Sequence, residues 1–138
     1  MAEYFGYDCL LQMGSPLVTI AAVRDIDGPA MKLDTVETTN RGSSKWRTRI
    51  AGLKDGGVVT CEIVYDPDAA THANAAGGVP YYLLQGTSQP FALLFPTATT
   101  IVSIAFTAFV TGFKPKAPLE NALMADLELT VTGAVTIA

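Results

Sequence analysis

The sequence has 138 residues, a length that fits one domain with a core of its own. Only 16% of the residues are charged, well below the usual value of about 25%, so much of the surface is neutral and suited to being covered by a partner. The formal net charge of −4 argues against nucleic-acid binding driven by the charge of the whole chain.

A long uncharged stretch, residues 69–113, raises the question of a membrane-spanning segment. It contains no Asp, Glu, Lys or Arg, but prolines and glycines interrupt it before about 20 apolar residues accumulate. The first residues, MAEYFGYDCLLQMG, carry acids where a signal peptide carries bases. We therefore expect a cytoplasmic product with neither a membrane-spanning nor a targeting segment.

Residues 1–16 are predicted to form an irregular N-terminal arm, because glycines and a proline interrupt them. The arm carries the aromatic residues Tyr4, Phe5 and Tyr7, so we expect it to pack on its own domain or on a neighbour. A first strand is predicted over residues 17–23. The turn signal Asp27-Gly28-Pro29 follows it.

The next segment is predicted to be a long, cationic hairpin. Residues 33–38 and 46–50 alternate as strands do, and the polar residues 39–45 between them are too many for a tight turn. No acid occurs between Asn40 and Lys54. Trp46 and Ile50 are expected to pack the outgoing strand on the body. The cations of the segment are Arg41, Lys45, Arg47 and Arg49.

A strand over residues 58–65 is predicted next. One face of it carries Val59, Cys61, Ile63 and Tyr65, and the other carries Val58, Thr60, Glu62 and Val64. A short helix is then predicted over residues 66–77. Asp66 suits its N-cap, the following proline suits its first turn, and two glycines end it.

The second half of the chain is predicted to be β-structure. Strands are expected over residues 79–85, 90–95, 99–111 and 125–137, with a Pro-rich loop over residues 112–118. In the longest strand, 99–111, the even positions are expected to face the core: Val102, Ile104, Phe106, Ala108 and Val110. Residues 1–138 are therefore predicted to be a single, mostly β domain. We expect a β-sandwich or flattened barrel of about seven or eight strands, one short flanking α-helix and a protruding hairpin loop.

The sequence offers little for catalysis or for binding a cofactor. Cys9 and Cys61 have no metal-ligand spacing, and His72 is the one histidine. The acid pairs Asp25/Asp27 and Asp66/Asp68 are explained by a turn and by a helix cap. We predict no catalytic residue, no metal site and no cofactor.

Two partners suit a cationic hairpin that carries an aromatic residue. One is nucleic acid, which basic patches with aromatics bind, but the acidic chain disfavours it. The other is an acidic surface on a second copy of the chain. Complementary ends on one subunit make a head-to-tail interface, which propagates into a filament or tube.

The order of these signals resembles that of the tail tube (major tail) proteins of long, flexible-tailed bacteriophages. The resemblance covers nearly the whole chain, and no motif is specific alone. The motifs are Asp25-Ile26-Asp27-Gly28-Pro29, Val36-Glu37-Thr38-Thr39, Ile50-Ala51-Gly52-Leu53-Lys54-Asp55-Gly56-Gly57, Tyr65-Asp66-Pro67, Phe95-Pro96, Phe109-Val110-Thr111-Gly112-Phe113 and Thr130-Val131-Thr132-Gly133.

The resemblance implies a structural virion protein that self-assembles into stacked hexameric rings. The rings would form the tail tube, through which genomic DNA passes without specific binding. It also implies other tail proteins as partners (tape measure, terminator and baseplate) and no membrane partner. The hairpin would contact the adjacent ring through Thr38, Thr39, Asn40, Arg41, Gly42, Ser43, Ser44, Lys45, Trp46, Arg47 and Arg49. Further inter-subunit contacts would come from Tyr4, Phe5, Tyr7, Phe113, Lys114, Pro115 and Lys116.

Two other classes of function stay open at this point. One is another β-rich tail or secretion component: a tail terminator, a baseplate hub or a tube like that of type VI secretion. The other is a soluble binding module or an enzyme whose site the fold would assemble from distant residues.

Overall fold

One antiparallel sheet of seven strands carries the fold, and it curls into a half-barrel. The computed structural model describes residues 9–96 and 101–138, so the predicted aromatic arm residues Tyr4, Phe5 and Tyr7 lie outside the described residues. The strands are β1 (Leu10–Met13), β2 (Val18–Thr19), β3 (Val23–Asp27), β4 (Lys32–Glu37), β5 (Arg49–Asp55), β6 (Val58–Val64), β7 (Ser88–Pro96), β8 (Ile101–Lys116) and β9 (Met124–Ile137).

The seven-stranded sheet has the order β2-β1-β7-β8-β9-β6-β3, while β4 and β5 form a separate two-stranded sheet. The predicted class is confirmed: the protein is mostly β, with one short helix, α1 (Val79–Gln85). Of the two predicted architectures, the curled sheet corresponds to the barrel.

The core lies on one face of the sheet, where α1 covers it. The predicted alternation of the longest strand is confirmed, because Phe106, Ala108 and Val110 of β8 are buried. The neighbouring strands bring Leu127 opposite Cys61 and bury both. Burying one such large apolar side chain contributes about 1.5–3 kcal/mol. Repeated along the long strands, this burial gives the sheet its stability.

The predicted helix over residues 66–77 is wrong. That segment contains only a 3-10 turn, Ala70–His72, because the Asp66 carboxylate accepts a hydrogen bond from the amide of Asp68 (3.0 Å) in a local turn. The α-helix lies instead at Val79–Gln85, which the sequence analysis predicts as a strand. Gly78 is its N-cap and Gly86 its left-handed C-cap, with φ of 69°.

Three other predictions need correction. β1 lies within the predicted irregular arm, and the predicted strand over residues 17–23 divides into β2 and the start of β3. The predicted Pro-rich loop is largely strand, because β8 continues to Lys116 while it pairs with the first residues of β9. Hydrogen bonds to a neighbouring strand can extend a strand into residues whose local sequence predicts a loop.

We predict that Gly86→Ala destabilises the protein by about 1 kcal/mol, because a Cβ strains the left-handed backbone that ends α1. Gly86→Asn, the matched control, should cost less because asparagine tolerates this conformation. Urea unfolding of the two variants measures the difference. Equal stability of wild type and Gly86→Ala would contradict the assignment.

The buried Cys61 thiol should make the stability of the protein depend on pH. Burial, together with the nearby Asp126 carboxylate, raises the pKa of Cys61 from 9.0 to about 12. The folded state therefore holds a proton that the unfolded state releases above pH 9, so stability falls as pH rises from about 9 to 12. Relative to Cys61→Ala, wild type should lose up to about 1.4 kcal/mol per pH unit in this window. Urea unfolding at stepped pH tests this, with Cys9→Ala expected to retain the wild-type slope.

Candidate assembly surface

The predicted hairpin is confirmed as the β4–β5 sheet, which stands apart from the large sheet. Val36 lies opposite Ile50, and Glu37 lies opposite Arg49. Among the described strands of the large sheet, β5 contacts β9 near the base of the hairpin. The residues of β4 are all exposed, so the hairpin projects from the body rather than packing along it.

Two glycines at the base of the hairpin permit its close contacts with the body. Gly57 adopts φ of 75°, and an added Cβ there would overlap the carbonyl of Ala30. Gly56 lies so close to Val131 that a Cβ would overlap its side chain. The carbonyl of Gly57 also accepts a hydrogen bond from the amide of Val131 (3.0 Å). These contacts tie the base of the hairpin to β9.

The tip of the hairpin, residues 38–49, closes on itself through hydrogen bonds. The amide of Thr38 donates to the carbonyl of Thr48 (2.8 Å), and the amide of Gly42 donates to the side chain of Asn40 (2.8 Å). The amide of Trp46 donates to the carbonyl of Ser43 (3.0 Å). The tip can therefore present its side chains without support from the body.

The hairpin exposes apolar as well as cationic side chains. Trp46 is 78% exposed and Ile50 57%, so the prediction that they pack on the body is wrong. Leu53, on the same strand as Ile50, is 81% exposed. The cations stand beside them, and Arg47 makes a loose ion pair with Glu37 (4.0 Å). Several large apolar side chains on one projecting element indicate a contact surface.

The second predicted set of contact residues lies elsewhere. Phe113 is half-buried against the core and meets Tyr65 edge to face, with ring centroids 5.3 Å apart. Lys116 forms an ion pair with Asp126 (3.1 Å), while Lys114 and Pro115 are exposed on β8. The structure therefore places this set at the end of β8 and does not bring it together with the hairpin.

An ionic cluster that the sequence analysis missed lies on the sheet face opposite the core. Lys116 bridges Asp126 and Glu62 (3.8 Å to the latter), and Glu62 also pairs with Arg24 (3.7 Å). The alternation of the last strand does put Asp126 opposite the core face. The sequence does not show the register between β6 and β9, which places Glu62 directly across from Asp126.

His72 has a structural role in the packing of two loops. Its side chain is buried, and its Nδ1 accepts a hydrogen bond from the amide of Asp66 (3.1 Å). Its Nε2 is then the donor to the carbonyl of Ala21 (2.7 Å). Among residues 9–96 and 101–138, no group of three or more His, Cys, Asp or Glu side chains is placed to hold a metal ion. In the same residues, no helix combines the length and hydropathy that a membrane span requires.

Comparison with known proteins supports the expectation from the sequence. No protein-family model matches the chain, and no curated protein matches its sequence. Solved structures do match. A chain from the tail of an empty gene transfer agent particle, refined with C6 symmetry, has a TM-score of 0.79 at 20% identity, over 99% of both chains.

Two further structures match over nearly all of this chain. A chain from the tube-terminating cap of the anti-feeding prophage has a TM-score of 0.72 at 16% identity, over 100% of this chain and 92% of that one. The SPP1 tail tube has a TM-score of 0.70 at 12% identity, over 98% of this chain and 78% of that one. The predicted resemblance is confirmed at the level of architecture: this chain has the fold of the tail tube proteins of phages and phage-like particles.

Proposed function

We propose that this chain is the subunit of a tail tube, assembled as hexameric rings that stack into a conduit for genome delivery. One observation carries the proposal: the end-to-end match to a chain from a C6-symmetric tail, over 99% of both molecules. The match extends over the whole fold and is not confined to one part of it.

The open edges of the half-barrel suit lateral assembly. The strands β2 and β3 are the two edges of the seven-stranded sheet, and an unpaired edge is a template for pairing with another chain. Pairing between neighbours around a ring would satisfy these edges. The hairpin tip, residues 38–49, is then available for the contact between rings.

A tube that DNA passes through also has contacts with DNA, with neighbouring subunits and with other tail proteins. The sheet face opposite the core carries threonines of β8 and acids such as Glu128, and its cations Arg24 and Lys116 are paired with Glu62 and Asp126, so little free positive charge is left to bind phosphates. Tyr4, Phe5, Tyr7 and residues 113–116 would add contacts between subunits. Synthesis in the host cytoplasm, residence in the virion tail, and contacts with tape measure, terminator and baseplate belong to the same proposal. No catalysis is needed for this role.

Electron microscopy of the concentrated pure protein tests the proposal. We expect six-fold rings stacked into tubes with a regular axial repeat, because β2 and β3 are edge strands within the described part of the chain and the hairpin projects from the body. Light scattering should show assembly growing with protein concentration. Compact monomers at every concentration would contradict a tube subunit.

The same experiment addresses a second candidate, a tube terminator, which the match to the terminating cap favours. A terminator closes a tube instead of extending it. Single rings that never stack at high concentration would support the terminator and contradict the tube subunit.

Reversing the charge of the hairpin tests its place between rings. Arg47→Glu with Arg49→Glu should impair stacking, so that a higher protein concentration is needed for it, while leaving circular dichroism unchanged, because both residues are exposed and lie outside the core. The matched control, Arg47→Lys with Arg49→Lys, retains the charge and should stack. Loss of the fold in the glutamate variant would show that these residues act within the subunit.

A further inference from the structure

The two ends of strand β6 define two poles of the subunit. Val58 follows directly on the hairpin base, whereas Val64, six residues later, leads into the loop at 65–78. The amide of Tyr65 donates to the carbonyl of Leu123 (2.8 Å), so the loop at 117–123 lies at this second end too. At about 3.3 Å per residue, the hairpin base and these loops are about 20 Å apart. We call the surface formed by residues 65–78 and 117–123 the far pole.

The far pole and the hairpin tip have opposite charge. The far pole carries the acids Asp66, Asp68 and Glu120, all exposed, and contains no Lys or Arg. The tip over residues 38–49 carries four cations and no acid. The base of the hairpin lies about 20 Å from the far pole, at the other end of β6. The complementarity of the tip and the far pole is therefore available to two copies of the chain.

The far pole also borders a groove lined by both apolar and polar residues. A groove of about 820 Å³ is bordered by Val64, Ala117, Pro118, Ala122 and Met124. The charged side chains at its rim, Arg24, Glu62 and Lys116, are paired with one another or with Asp126. Those pairs leave little net charge to repel a cationic partner. Beside the groove, Leu119 is completely exposed.

We propose that the far pole of one copy binds the hairpin tip of a second copy, with Trp46 seated in the groove and the tip cations facing Asp66, Asp68 and Glu120. This inference rests on the proposed function, since it names the partner surface of the inter-ring hairpin. Trp46 is a rigid, exposed aromatic flanked by cations, and tryptophan and arginine are the residues that most often dominate interfaces.

A second copy fits this surface better than an unrelated partner for a geometric reason. The base of the donor hairpin and the acceptor surface lie at opposite ends of β6, so each bound copy still has an unoccupied surface of its own. Such a heterologous contact propagates along an axis, as a stacked tube requires. Nucleic acid would be repelled by the acids of the far pole.

The test uses charge reversal at both poles. Variant H carries Arg47→Glu and Arg49→Glu, variant P carries Asp68→Lys and Glu120→Lys, and variant HP carries all four. Asp66 is left in place because its carboxylate holds the turn at Asp68. We expect H and P each to raise the protein concentration needed for association by about tenfold or more, and HP to return it to near wild type. Glu128→Lys, a reversal on the sheet face outside the far pole, is the control and should behave as wild type.

The single tryptophan supplies a direct readout of the contact. Trp46 fluorescence should shift to shorter wavelength and become protected from acrylamide when wild type or HP associates, and not in H or P. If variant P associates at the wild-type concentration and shows the wild-type shift in Trp46 fluorescence, the far pole is not the acceptor. The tube proposal would still stand in that case. A Trp46 that stays exposed in wild type at every concentration would overturn the inference. Absence of rings and tubes in the same samples would separately overturn the proposed function.

Discussion

The antiparallel pairing of β8 with β9 is the interaction on which the rest of the molecule depends. It runs from Ile104 opposite Ile137 to Lys116 opposite Met124, interrupted by two irregularities. On one side, the first part of β8 holds β7 and through it β1 and β2. On the other, the first part of β9 holds β6 and β3. A slip of one residue in this ladder would move the apolar side chains of the shifted strand from the core face to the exposed face.

The same pairing determines where the proposed assembly surfaces lie. The base of the hairpin is tied to β9 at Val131, while the far pole forms where β6, β8 and β9 reach their other ends. The β8–β9 ladder therefore separates the base of the hairpin from the acidic loops. Complementary surfaces at two ends of a subunit suit a heterologous contact that repeats along an axis.

The outcome for α1 shows how local patterns mislead. The segment VPYYLLQ is rich in residues that favour strands, yet Val79, Tyr82 and Leu83 recur at helical spacing and pack towards the core. Glycines at both ends then act as helix caps, where the sequence alone also allowed a hairpin turn after the segment. By contrast, Asp66 and Pro67 carry strong helix-start signals, but the buried His72 binds the backbone at Asp66 and holds that segment in a turn.

By itself the sequence determined the β-rich class, the alternation that assigns Phe106, Ala108 and Val110 to the core, and the hairpin with its cationic tip. Those features follow from residue spacing and charge within one segment, so they can be predicted without knowing which other segments it contacts. Only the tertiary structure decided the register that joins Glu62, Lys116 and Asp126, the exposure of Trp46, and the grouping of residues 65–78 with residues 117–123 into one pole. Each of these depends on contacts between residues distant in sequence, and such contacts are set by strand pairing and burial rather than by any local pattern.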